Sequence, residues 1–358
     1  MRSFADLDHS IGHVPGTIVA ALRTVDVGRG SEALYRDQLP GLLSHLANRA
    51  RVTSITASSA IEGIVVADHA RADRILAGRV TNLRNRSEQE LAGYRDAQDY
   101  LFQQPWQPLN PGLLLHLHKL LFMHTASQGG RFKSEDNLVV DRAPSGELTV
   151  RFRTVRASET QFFVAELIDR YLAEMATDRH HPVLLVGLFA LDLLVVHPFE
   201  DGNGRVTRAV TNALLMEAGY SVSRYISLEQ QIAASADDYY QALLDSTHGW
   251  HDGRANPWPW LSYFVDILAT AYRTFAERAA YDRADGSKQE RVRDYVLNHA
   301  PDTFRMADIR TALPGISDPT IRVVLDRLRR AGSIASEGLG RAASWRRMPT
   351  DHFSRPPG

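Results

Sequence analysis

The chain has no cysteine, only three lysines (Lys119, Lys133 and Lys288) and almost no net charge across 358 residues. Without cysteine there is no disulfide and no thiolate metal site, which fits a reducing compartment. With 41 Lys and Arg against 42 Asp and Glu, the formal charge is −1. No global field therefore draws the chain to nucleic acid or to a membrane surface, and any basic surface must be local. No run of about eighteen uninterrupted apolar residues occurs, so no transmembrane helix is expected. The first sixteen residues lack the apolar stretch of a signal peptide. These absences together predict a cytoplasmic protein. What is present is ordinary: 44% hydrophobic residues, enough for a core, at a length that suggests two or three domains.

Residues 1–16 are punctuated by Gly and Pro and are expected to be irregular. Apolar residues recur at helical spacing over Glu32–Glu62 and Val66–Phe102, which predicts long helices. Pro105, Pro108 and Pro111 interrupt the pattern. Helices are expected over Leu113–His124, 158–177, Pro182–Val196 and Arg205–Ala218, with more helix to about Arg278. Pro182–Val196 is almost wholly apolar and belongs at the buried centre. Leu138–Val140 and Leu148–Val155 flank Pro144-Ser145-Gly146 and predict a β-hairpin. The polar stretch 281–288 reads as a linker. Beyond it, Gln289–His299, Met306–Leu313 and Pro319–Ala331 predict short helices, and Ile334–Trp345 a hairpin. Ser317 or Asp318 caps the third of these helices, with Pro319 in its first turn.

One run is dense with chemistry. Residues 197–205 read His-Pro-Phe-Glu-Asp-Gly-Asn-Gly-Arg, and Arg208 follows three positions later. Gly202 and Gly204 let backbone N–H groups converge where a side chain would intrude. They open a helix, and a helix N-terminus favours anions. Arg205 and Arg208 are three apart on that helix and can fork onto phosphate oxygens. Asp201 can supply a hard oxygen ligand to Mg²⁺, and Asn203 a neutral donor. His197, with an ordinary pKa near 6.5, suits a general base toward an attacking hydroxyl.

This run matches, from His197 to Arg208, the signature of the Fic (Fic/DOC) family, H-P-F-x-(D/E)-G-N-(G/K)-R-x-x-R. The resemblance extends over roughly residues 30–280. It implies a mostly α-helical core with a small β-hairpin flap, and transfer of AMP from ATP to a Ser, Thr or Tyr hydroxyl of a target protein. By that resemblance His197 is the base and Asp201 the Mg²⁺ ligand. Asn203 contacts the α-phosphate, and the Gly202–Gly204 backbone forms the anion hole. Arg205 and Arg208 hold the β- and γ-phosphates, with Val206 and Thr207 inside the ATP-binding stretch. Tyr240, in a Tyr-Tyr-x-x-Leu element with Tyr239 and Leu243, approaches the adenosine. Thr247 stands where several relatives carry an Asn that contacts the nucleotide. The strand edge near Val150–Val155 is a candidate for registering a target segment. Self-modification and a homodimer are further expectations.

Upstream, Ser58-Ser59-Ala60-Ile61-Glu62-Gly63 fits the family's inhibitory pattern, (S/T)-x-x-x-E-(G/N). Glu62 at a helix end would pair with Arg208 and withhold it from the γ-phosphate. Ser333–Gly338 fits the same pattern, but the first copy closes a predicted helix ahead of the core. Residues 1–105 then form an N-terminal helical region with the inhibitory helix, and 106–280 the catalytic core. Residues 289–348 resemble a winged helix-turn-helix, followed by a tail at 349–358. Lys288–Met348 holds twelve Lys and Arg against seven acidic residues. That local excess makes DNA a candidate partner, with Thr320, Arg322 and Arg327 toward a groove. Two other readings stay open: removal of AMP at the same site, or a DNA-binding regulator whose Fic domain senses nucleotide.

Overall fold

Proline and glycine cut the long apolar periodicities into discrete helices. The computed structural model describes residues 3–38, 40–142, 148–283, 288–337 and 344–348. In chain order these form α1 (Leu7–Ile11), α2 (Gly16–Gln38), α3 (Pro40–Ile61), α4 (His69–Leu76), α5 (Arg86–Gln103) and α6 (Pro111–Phe122). Strands β1 (Leu138–Arg142) and β2 (Leu148–Arg153) follow. Then come α7 (Ala157–Met175), α8 (Pro182–Val196), α9 (Asn203–Glu217), α10 (Leu228–Ala234), α11 (Ala236–Thr247) and α12 (Trp258–Arg283). The last elements are α13 (Lys288–Asp294), β3 (Thr303–Arg305), α14 (Met306–Ala312), α15 (Asp318–Arg330), β4 (Ile334–Glu337) and β5 (Ser344–Arg347). The molecule is mostly helical, as expected.

Three expectations are corrected. Residues 1–16 are not irregular throughout: Asp6 caps α1 by accepting from the His9 N–H, and α1 buries Leu7 and Ile11. The periodicity over Glu32–Glu62 belongs to two helices, because Pro40 can begin a helix but not continue one. The Val66–Phe102 periodicity is also split. Helix α4 stops at Leu76, Gly78 turns the chain at φ +69°, and Asn85 caps α5 by accepting from the Glu88 N–H.

Two compact units divide the chain: Met1–Glu32 with Arg49–Arg273, and Ala33–Asn48 with Thr274–Gly358. In the first, α8 has 13 buried residues among its 15, so it presents no polar face. Its one charged residue, Asp192, is fully buried and accepts from the Ser3 hydroxyl and the Trp250 indole at 2.6 and 2.7 Å. Helices α7 and α9 pack on α8, while α5 and α6 pack on each other and on α9. β1 and β2 pair antiparallel, with Val139 opposite Phe152 and a register shift after Val139. The turn expected at Pro144-Ser145-Gly146 lies outside the described residues.

In the second unit a three-stranded antiparallel sheet, order β3-β5-β4, packs with α13, α14 and α15 around Val292, Val296, Phe304, Ile309, Ile321 and Leu325. Arg322 and Arg327 are exposed on α15, and Thr320 is half-exposed. Several of the basic residues are paired in place: Arg329 and Arg330 with Asp326, and Arg310 with Asp318. Helix α12 runs to Arg283, into the stretch expected as a linker, and 284–287 lie outside the described residues. So do Gly338 of the second inhibitory pattern and the tail at 349–358. Among the described residues no helix is long and apolar enough to cross a membrane.

Candidate functional site

The site is the loop between α8 and α9. His197 ends α8 in the left-handed region, φ 50° and ψ 61°, with its N–H bonded to the Leu193 carbonyl. Its Nδ1 lies 3.2 Å from the Leu194 carbonyl oxygen. A carbonyl only accepts, so that nitrogen carries the proton and Nε2 keeps a free lone pair. Burial pushes the imidazole pKa down to about 4, and the Lys133 charge adds to this, against the Leu194 bond and the Glu62 and Asp201 carboxylates. His197 is therefore neutral at physiological pH.

Phe199 is fully buried and stacks on His118, with ring centroids 4.0 Å apart. Asn203 closes the loop beneath it: its Oδ1 accepts from the Phe199 N–H and its Nδ2 donates to the Phe199 carbonyl, both at 2.8 Å. The Asn203 carboxamide is thus engaged within the loop. Gly202 sits at φ 78°, a left-handed position that suits glycine, and brings no side-chain cap to α9. The first-turn N–H groups of α9 are left for an outside acceptor.

The carboxylate beside this helix end is that of Glu62. Helix α3 ends just before it, and Gly63 turns the chain away at φ +74°. One Glu62 carboxylate oxygen lies 2.9 Å from Arg208 Nη2. A Cβ at Gly204 would fall 2.1 Å from that same oxygen, so glycine is required for this approach. Arg208 is further held by Ser58, donating to its hydroxyl at 2.9 Å and its carbonyl at 3.0 Å. Burial opposes the Arg208 charge, but Glu62 and the neighbouring Tyr239 and Tyr94 hold its pKa above the ordinary arginine value.

The expected residues fall into three groups. Glu62, His197, Gly204, Arg208 and Tyr240 line one cavity of 460 Å³ with Val139, Phe152, Tyr239, Leu244 and Thr247. That volume falls in the range of small-molecule sites. Asp201 lies outside it, with a 55% exposed side chain; one oxygen accepts from the Gly202 N–H at 2.6 Å and the other from Arg86 at 3.0 Å. Arg205, Val206 and Thr207 turn their side chains inward. Arg205 is fully buried, 2.7 Å from a Glu90 carboxylate oxygen and over the Phe122 ring. Arg86 bonds the other Glu90 oxygen, so α5 underpins this end of the loop.

Several participants carry no signal of their own in the sequence. Lys133, His118, Glu90 and Arg86 reach the loop only through packing. Lys133 is buried, and burial pushes its ammonium down to about 8. His118 is pushed down to about 4 by burial, and its Nδ1 accepts from the Gly130 N–H. Phe152 and Val139 could have been flagged from the hairpin alone. At the strand edge, His251 bonds the Arg153 carbonyl at 2.7 Å and stacks on Phe152, so the end of β2 already has a partner.

The Fic/DOC family profile matches residues 108–215, which contain this loop, α8 and most of α9, but not Glu62 or Tyr240. This chain carries a Fic/DOC domain. Two curated relatives are both named "Protein adenylyltransferase Fic". The one from Nematostella vectensis is 27% identical over 139 residues, 38% of this chain and 28% of that protein. The one from Drosophila ananassae is 32% identical over 108 residues, 30% of this chain and 20% of that protein. The matched stretch is thus a quarter or so of each relative's length. Among solved structures, a Fic family protein from Desulfovibrio desulfuricans superposes with a TM-score of 0.61 at 19% identity, covering 95% of this chain and 98% of the other. A Fic domain containing signaling protein from Bacteroides thetaiotaomicron gives 0.57 at 20% identity, covering 74% and 97%. At these identities the likeness is one of fold.

Proposed function

We propose that the chain is an autoinhibited protein adenylyltransferase. It moves AMP from ATP to a Ser, Thr or Tyr hydroxyl of a target protein and releases pyrophosphate. The observation that carries this reading is Glu62, seated against Gly204 and paired with Arg208 in the cavity that also holds His197. A carboxylate at a helix N-terminus, bonded to an arginine, takes the place a phosphate would take.

In this reading the target hydroxyl oxygen forms a bond to the α-phosphorus while His197 Nε2 takes its proton. The bond to the β-phosphate oxygen breaks and its electron pair leaves with pyrophosphate. The first-turn N–H groups of α9, at Asn203 and Gly204, meet the charge that develops on the phosphoryl oxygens. Arg208, once free of Glu62, binds the γ-phosphate. Tyr240 and Tyr239 flank the adenosine. Arg205 and Asn203 act by fixing the loop, since Arg205 is ion-paired with Glu90 and Asn203 is hydrogen-bonded to Phe199. Among the described residues no group of three His, Asp or Glu could hold a metal by itself. Asp201, half-exposed beside the loop, suits Mg²⁺ that takes its remaining ligands from phosphates and water. When bound, that ion would neutralise phosphate charge.

The test uses ATP labelled at the α-phosphate. Regaining one charge-assisted hydrogen bond is worth ~1.5–3 kcal/mol, so Glu62→Gly is expected to raise label transfer roughly 10- to 100-fold. Adding His197→Ala should lower it again by about a hundredfold or more. If Glu62→Gly transfers no more label than the wild type, the autoinhibition reading fails.

A further inference from the structure

The loop that carries His197 is braced from outside by a short segment that the reaction above does not use. Three backbone carbonyls around His197 are claimed by residues 133–137. The Lys133 ammonium donates to the Val196 carbonyl at 3.0 Å, and the Lys133 N–H to the Pro198 carbonyl at 2.9 Å. Asn137 Nδ2 donates to the Phe199 carbonyl at 2.9 Å. The same ammonium donates to Asn137 Oδ1 at 2.9 Å and to the Thr154 hydroxyl at 3.0 Å. Thr154 in turn lies 2.8 Å from the Asn137 carbonyl as donor. Asn137 immediately precedes β1, and Thr154 immediately follows β2. Lys133 therefore ties both roots of the hairpin to the carbonyl directly before His197.

We infer that Lys133 is a positioning residue: through its three ammonium bonds it fixes His197 in its left-handed conformation and couples that placement to the β1–β2 hairpin. The inference rests on the adenylyltransferase reading of the site. Its physical basis is independent of sequence spacing. A non-glycine residue persists at positive φ only when its surroundings hold it there. An ammonium has three protons, and here all three have acceptors, so removing it loosens the loop and both hairpin roots at once. Val139 and Phe152 of that hairpin line the cavity beside His197, so the brace also sets one cavity wall.

The experiment places Lys133→Met in the Glu62→Gly background. Small misplacement of a reacting group costs up to about a hundredfold. The expected result is a fall in kcat of about tenfold or more, while ATP affinity by calorimetry changes less than about threefold. Lys133→Arg, which keeps the charge and donors, should recover part of kcat. Thr154→Val removes one acceptor with little change of shape and should shift kcat in the same direction. Hydrogen exchange on Lys133→Met, measured without substrate, should be faster at 137–139, 154–155 and 196–199. Unchanged kcat overturns the inference, as does a parallel loss of kcat and ATP affinity. If Glu62→Gly alone transfers no AMP, the adenylyltransferase reading fails, and the exchange measurement still decides the brace: unaltered protection in those segments sinks it.

Discussion

His197 is held at φ 50°, a conformation that costs a non-glycine residue about 1–3 kcal/mol. The cost is offset by the bonds on either side of it, and the outcome is an imidazole with a fixed tautomer, half-buried on the cavity wall. Burial favours the neutral form, so the folded pKa lies below the ordinary value near 6.5, at about 4. The sign follows directly. Between those values the unfolded chain binds more protons than the folded one, so stability rises with pH across that window and falls as pH drops through it. His118, also at about 4, acts in the same direction. An NMR titration of the His197 ring protons should show a midpoint near 4, and a midpoint at the ordinary histidine value would contradict the burial argument. The identity of His197 was legible in the sequence, because eight other positions of its signature announce it. Its pKa was not, because the groups that set it come from distant segments.

At the scale of elements, α9 is anchored by α5. Arg205 is fully buried against Glu90, a pair that packing alone brings together. Removing one partner of a buried pair leaves an uncompensated charge, so Glu90→Ala should cost about 3–5 kcal/mol in a denaturation experiment. A cost below about 1 kcal/mol would mean that Arg205 has another route to solvent or to an acceptor. The spacing of Arg205 and Arg208 suggested one shared phosphate-facing surface. The helix instead turns Arg205 inward and leaves Arg208 on the cavity, because three positions on a helix share a face only approximately. Apolar α8 and the β1–β2 hairpin were read correctly because their signals are local. The splits at Pro40 and Gly78 do not follow from apolar periodicity, which runs on across both breakers.

At the scale of the molecule, the Glu62–Arg208 pair belongs to the fold's stability, and under the proposed autoinhibition it is also the switch. Arg208 is buried, so Glu62→Gly leaves a cation without its nearest counter-charge. The variant should melt below the wild type in the absence of nucleotide. Saturating ATP should raise its Tm by more than it raises that of the wild type, since a ligand at a hundred times its Kd adds about 2.7 kcal/mol. Equal Tm shifts in the two proteins would separate Glu62 from nucleotide binding. The sequence by itself determined the helical class, the His197–Arg208 motif, and a glutamate at 62 that fits the family's inhibitory pattern. All of these are written in residues close to one another in the chain. Glu62 meets Arg208 across 146 residues, the contact the family pattern implies, whereas tertiary structure alone decided that Arg205 faces Glu90 and that Lys133 bonds the carbonyl before His197. Such meetings depend on how buried helices pack, and helix packing is set by side-chain shape across elements, which no local period records.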